Sequence, residues 1–255
     1  LGSLAGRAGA WIGLGAGAAG GVALFWLLFR LEQKFNLTWI GRMIHYFARD
    51  SHEALPALET RRAGFAEMLA EELAGGEYDE ILVVGHSVGT THALSIAARA
   101  IPAARASRTR LSLLTLGQTN CWLAAFRHAK RFHAEIAAAA TSEDFDWLDF
   151  SAPPDAACFA LTDPYTVLGD RRADRHNPKL LNPKFHEIMA PERFARATRN
   201  WVALHFQYIE AGVVPAEYDY FAITAGPMTL GERFAHRRSV RDFTRLRSRA
   251  TRHLR

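Results

Sequence analysis

The residues best placed to do chemistry are Gly85-His86-Ser87-Val88-Gly89, a G-x-S-x-G pattern. A β-branched apolar run, Ile81 to Val84, precedes it, and a small-residue stretch, Thr90 to Ala100, follows. Strand, sharp turn and helix are the context of a nucleophile elbow. A serine on so tight a turn takes a strained backbone conformation, and the flanking glycines are expected to avoid clashes with it. Its hydroxyl then stands above the sheet edge. The N-terminus of the following helix favours a developing negative charge there, and the Val88 N–H is the expected oxyanion donor. The alternative is a tight strand-to-helix turn with an inert serine.

A serine hydroxyl at neutral pH is a weak nucleophile. It needs a histidine as base and a carboxylate to fix the histidine's tautomer. In the α/β-hydrolase order the acid follows the serine and the histidine comes last. The acid belongs just past a later strand, on the serine's edge of the sheet. Asp155 fits, after the run Phe145–Phe150 and the Pro153-Pro154 turn. Asp163 is the runner-up, while Asp146 and Asp149 lie inside the strand. Among the later histidines, His176, His236 and His253 sit in charged surroundings. His205, in the apolar stretch Trp201–Ile209, is the expected base, with His186 as runner-up; a buried core histidine is the plainer reading of His205. His86 is expected to shape the elbow rather than act as base.

Taken together, Ile81–Gly89, Leu113-Leu-Thr-Leu-Gly-Gln118, Asp155 after a strand and His205-Phe-Gln-Tyr208 resemble the class 3 (fungal-type) lipases of the α/β-hydrolase superfamily. The resemblance spans roughly residues 60–210. This chain carries Thr119 where those lipases have proline, and Asp155-Ala-Ala-Cys158 in place of their Asp-x-Val-Pro segment. The resemblance implies a Ser87, Asp155, His205 triad; cleavage of carboxylic esters, with lipid-like substrates, is the expected reaction, and no cofactor is expected.

The elements that must hold these residues read as an α/β fold. A mostly parallel sheet is flanked by helices, preceded by a hydrophobic helix. Helices are expected at 57–74, from residue 89, at 121–140 and at 191–211. Strands are expected at 81–85, 111–116 and 145–150, with a possible last one at 218–224. Pro102 to Arg110 reads as a loop. The proline-broken stretch 157–195 reads as an irregular, substrate-covering insertion. A second oxyanion donor should come from a loop after an early strand, and no convincing strand precedes residue 57. An upstream segment is expected to carry it, or the chain, which begins at Leu1, is a fragment.

Composition sets the surroundings. With 255 residues and 49% hydrophobic content the chain can build one sizeable core. Cys121 and Cys158 make neither a disulfide framework nor a metal spacing. Between Arg7 and Arg30 lie 22 uncharged residues, 8–29, enough for a helix of about 33 Å with Trp11 and Trp26 towards its ends. Gly13, Gly17 and Gly21 share one face of it, as in close-packed membrane helices. A transmembrane helix is the favoured reading, ahead of a buried core helix or a signal-like segment. Arg30, Lys34, Arg42 and Arg49 after the span, against Arg7 before it, place the following domain on the cytoplasmic side. Residues 37–48 read as an amphipathic helix, on the membrane surface or simply packed on the domain. Gly15-Ala-Gly17-Ala-Ala-Gly20 matches a dinucleotide fingerprint, but no strand leads into it.

The organisation expected is a membrane segment, 1–50, a catalytic domain, 51–232, and an arginine-rich tail, 233–255. The tail holds nine arginines against Asp242, a net +8 in a chain of +5. It suits a solvated terminal helix or anionic lipid headgroups. It lacks the interleaved aromatics of a nucleic-acid surface, Phe243 apart. Three functions follow in descending order: a membrane-tethered serine esterase, a non-catalytic hydrolase-fold membrane scaffold or binding protein, and a nucleic-acid-associated protein.

Overall fold

The computed structural model of the chain describes residues 2–169 and 175–240. The chain divides into two compact units, Leu1–Ala48 and Arg49–Arg255.

The first unit is helical. Helix α1 covers Gly2–Phe35, and its segment Gly13–Phe35 is long and apolar enough to cross a membrane, with none of it buried in the protein. The glycine pattern 15–20 lies inside this helix, so the residues that would form a strand and phosphate loop are helical instead. At Asn36 the chain takes a positive φ of 51°, which ends the helix. The Glu32 carboxylate accepts the Thr38 N–H at 2.9 Å, satisfying a first-turn donor of α2, Leu37–Ser51.

The second unit is an α/β layer structure. Helix α3, Pro56–Gly75, starts with proline in its first turn, where no N–H is needed, and ends at Gly76 in the left-handed region. Four strands follow: β1 (Glu80–His86), β2 (Arg110–Leu116), β3 (Phe145–Phe150) and β4 (Lys179–Leu181). They pair in sequence order and all parallel. Parallel strands covered on both faces read as continuous apolar runs. Residues 111–116 are accordingly all buried. Strand β1 is half-exposed because, among the described residues, nothing pairs with its other edge.

One face of the sheet is covered by α4 (Gly89–Ala106) and α6 (Lys130–Thr141). On the other, Leu114, Leu116, Leu148 and Phe150 pack against Phe185, Leu204, Tyr208, Tyr218 and Phe234. Alternate residues on β2 and β3 face the helical layer, where Thr115 donates to Asp149 at 2.7 Å and accepts the Trp147 indole N–H at 3.0 Å. A buried charge network ties the end of α2 to α3, α4 and α6. Arg62 forks onto both Asp50 oxygens at 2.7 Å, and Glu135 takes Ser95, Arg99 and Arg131. Burial, then the Arg62 charge, push His92 down to about 4, so its neutral Nδ1 accepts from Arg62 Nε.

Several elements differ from the sequence expectation. Helix α4 runs through Pro102 to Ala106, because Ile101 and Ala104 still bury their face and the proline forfeits a single donor. The helix expected over 121–140 breaks into α5 (Asn120–Ala124) and α6, with turns at 126–129. The irregular stretch carries α7 (Pro164–Val167), β4 and α8 (Phe185–Ile188). The helix expected over 191–211 is three pieces: α9 (Pro191–Ala197), α10 (Trp201–Phe206, capped by Asn200) and a 3-10 turn, Gln207–Ile209. The possible strand at 218–224 is a helix, α11 (Tyr220–Thr224), because the Asp219 side chain accepts the Ala222 N–H and caps it. After α12 (Leu230–Arg233), Val240 donates to Leu180 and Ser239 accepts from it, so the chain is tied to β4 as far as residue 240. The rest of the arginine-rich tail lies outside the described residues.

Candidate active site

Ser87 sits where β1 turns into α4, with φ at 56°. A non-glycine residue there is strained and persists only when its neighbours over-determine it. Here they do. The Ser87 N–H donates to Leu116 O at 3.0 Å, and its carbonyl accepts from Thr90 N, Thr90 Oγ1 and Thr119 Oγ1. The two flanking glycines prove unequal. A Cβ on Gly85 would lie 2.7 Å from the Ala93 Cβ and 2.8 Å from the Gly89 carbonyl, so only glycine lets α4 close onto β1. A Cβ on Gly89 would meet nothing within 4 Å. The expectation that both glycines prevent clashes therefore holds for one of them. The Val88 N–H, at the mouth of α4, finds no acceptor among the described residues.

His205 and Asp155 meet at this same C-terminal edge of the sheet. His205 Nδ1–H donates to Asp155 Oδ2 at 2.8 Å, with both side chains almost wholly buried. Asp155 sits in the turn beyond β3, where its N–H donates to Ala152 O and its Oδ1 accepts the Ala157 N–H. Burial pushes the Asp155 carboxyl up, but the hydrogen bond from His205, the charge on that ring and the Ala157 N–H outweigh it. The group lies below the usual carboxylate range. The bond to Asp155 leaves His205 Nε2 as the lone-pair nitrogen, buried and without a hydrogen-bond partner. No hydrogen bond joins it to the Ser87 hydroxyl in this structure.

Three neighbours hold the histidine, and sequence reasoning gave them little or no role. Gly117, φ 54°, turns the chain after β2, and a Cβ there would fall 2.7 Å from the Tyr208 ring and 3.2 Å from His205 Cε1. The glycine closing the apolar run Leu111–Leu116 is the one sequence-level signal for it, since glycine is the residue that accepts such a turn. The Tyr208 hydroxyl accepts the Ala152 N–H at 2.7 Å, under the Asp155 turn. His86 donates Nε2–H to the His205 carbonyl at 2.8 Å.

The other candidates lie elsewhere. His186 is 61% exposed beside Glu187, with no contact to Asp155. Asp163 caps α7 and pairs with Arg175. Asp149 is fully buried on β3, taking hydroxyls from Thr115 and Ser151, and burial raises its pKa to about 7. His176 and His236 pair with Glu143 and Glu217 at the surface. Among the described residues no group of three His, Cys, Asp or Glu side chains converges on a metal position. Nor does any described strand lie beyond β1 to carry a second oxyanion donor.

Comparison with known proteins adds no relative: no family model matches the chain, and no curated protein or solved structure is significantly similar to it.

Proposed function

We propose that this chain is a membrane-tethered serine hydrolase that cleaves carboxylic esters, with lipid-like esters as the substrate class. The observation that carries the reading is the buried His205–Asp155 hydrogen bond at the sheet edge where Ser87 is held in a left-handed turn. The resemblance of the elbow and its partners to class 3 lipases supports the same chemistry. Ser87 attacks the ester carbonyl while His205 Nε2 takes its proton. Asp155 keeps His205 Nδ1 protonated and steadies the imidazolium. The Val88 N–H and the α4 N-terminus receive the oxyanion. His205 then protonates the leaving alcohol, and water, activated by the same nitrogen, releases the acid from the acyl-enzyme. The excess of Arg30, Lys34, Arg42 and Arg49 after the apolar span supports a cytoplasmic side for the domain in this reading.

A second reading, a hydrolase-fold membrane scaffold or binding protein, draws on the absence, among the described residues, of a strand beyond β1 and of a second oxyanion donor. Loss of one such donor costs about 10²–10³ in kcat. Labelling of the membrane-bound full chain with a fluorophosphonate decides between them. Labelling that disappears in Ser87→Ala supports the hydrolase. Absence of labelling in folded wild type, or labelling retained in Ser87→Ala, sinks it.

A further inference from the structure

We infer that His86 is a positioning residue that fixes the base His205 relative to the nucleophile through its bond to the His205 main-chain carbonyl. The inference rests on the hydrolase reading and adds a fourth side chain to its machinery.

His86 is the last residue of β1 and the covalent neighbour of Ser87. Its Nε2–H reaches the carbonyl of His205 across 119 positions of sequence, at 2.8 Å. A carbonyl only accepts, so His86 carries its proton on Nε2. His205 lies in the last turn of α10, where carbonyls run out of intrahelical donors, and the bond therefore also closes a helix end. The His205 ring is held at Nδ1 by Asp155, and its edge is seated against Gly117. Neither contact hydrogen-bonds it to the strand that carries Ser87. The His86 bond does, with one hydrogen bond between the nucleophile's own strand and the base's own peptide unit. The His86 ring is further packed against Phe206 and Tyr208, at centroid separations of 5.4 and 5.9 Å, so the donor is not free to swing.

The charge state fits this task. The two imidazoles lie 4.7 Å apart, centroid to centroid. A cationic His86 would oppose formation of the His205 imidazolium when the serine proton arrives. Burial first, and then the His205 charge, hold His86 below the usual histidine range, against the pull of the carbonyl and Asp155. It stays a neutral donor while His205 takes the charge.

The test uses the full chain in membranes or detergent, in wild type, His86→Phe and His86→Gln, with Ser87→Ala as control. Phenylalanine keeps the ring and loses the donor. Glutamine places an amide N–H at the same distance along the side chain. A small displacement of the base costs on the order of 10²-fold. His86→Phe is therefore expected to lower the fluorophosphonate labelling rate and the kcat for a p-nitrophenyl ester at least about tenfold, with KM within about twofold. His86→Gln recovers most of the loss. Wild-type rates in His86→Phe overturn the inference, as does His86→Gln failing as badly while folded. If His86→Phe does not fold, His86→Asn replaces it, with an amide one bond too short; it must be slow where His86→Gln is fast. Loss of labelling specific to Ser87 in the wild type itself removes the hydrolase reading, and this inference with it. Ser87-dependent labelling with indifferent His86 variants removes this inference alone.

Discussion

Ser87 holds its left-handed turn because four hydrogen bonds meet on its peptide units and because Gly85 lets α4 touch β1. The two elbow glycines should therefore respond differently to alanine. Gly85→Ala forces a contact under 3 Å onto Ala93 and the backbone of α4, and should cost about 1–3 kcal/mol or more. Gly89→Ala enters open space in a first helical turn and should be neutral or stabilise by up to about 1 kcal/mol. Urea denaturation of the two variants checks this, and equal losses would contradict it. Asp149 offers a second test. Burial raises its pKa from 3.8 to about 7, so the folded state holds a proton that the unfolded chain gives up. The associated stability is complete below the unfolded value and is lost as pH rises towards and through about 7. Relative to wild type, Asp149→Asn should gain stability between pH 4 and 8, by roughly a few kcal/mol. A difference that does not change with pH would refute it.

At the scale of elements, the site depends on helices that are joined by charge as well as by apolar packing. Arg62 on α3 grips Asp50 at the end of α2, and Arg131 on α6 reaches the same carboxylate at 3.4 Å. The pair is almost fully buried, so removing one partner strands a desolvated charge. Asp50→Ala should cost about 3–5 kcal/mol, measured by chemical denaturation. A loss under about 1 kcal/mol would show the network to be solvated. The same scale explains where sequence patterns misled. Tyr218–Thr224 has the aromatic and β-branched content of a strand, yet Asp219 caps it into a helix that places Ile223 in the core beside Phe234. The fourth strand lies instead in Lys179–Leu181, three residues among prolines and too short to make a periodic signal.

For the whole molecule, α1 carries a 23-residue segment, Gly13–Phe35, that is apolar enough to cross a membrane and contributes nothing to the protein's own core. Deleting residues 1–35 should move the protein from the carbonate-washed membrane pellet to the soluble fraction, with the fold of the second unit kept. A protein that stays in the pellet with unaltered circular dichroism would mean that another surface holds the membrane. The parallel sheet has an open edge at β1, the strand that carries the elbow, and Val84 there is 36% exposed. Parallel sheets are otherwise covered, so Ser87 stands beside backbone donors and acceptors that nothing in residues 2–169 or 175–240 pairs.

What the sequence determined by itself was local. The elbow is legible because strand, strained serine and helix are consecutive, and the apolar span because hydrocarbon solubility is additive along a helix. The three long strands were legible from apolar runs bounded by turn residues. Asp155 and His205 are 50 residues apart, and elimination by surroundings could order them against Asp163 and His186 without establishing a contact. Only the tertiary structure decided that Asp155 and His205 meet, that Gly117 makes room for the ring, and that His86 holds the His205 carbonyl. Those facts depend on where separate chain segments cross the sheet edge, a long-range packing outcome to which no periodicity or spacing along the chain is sensitive.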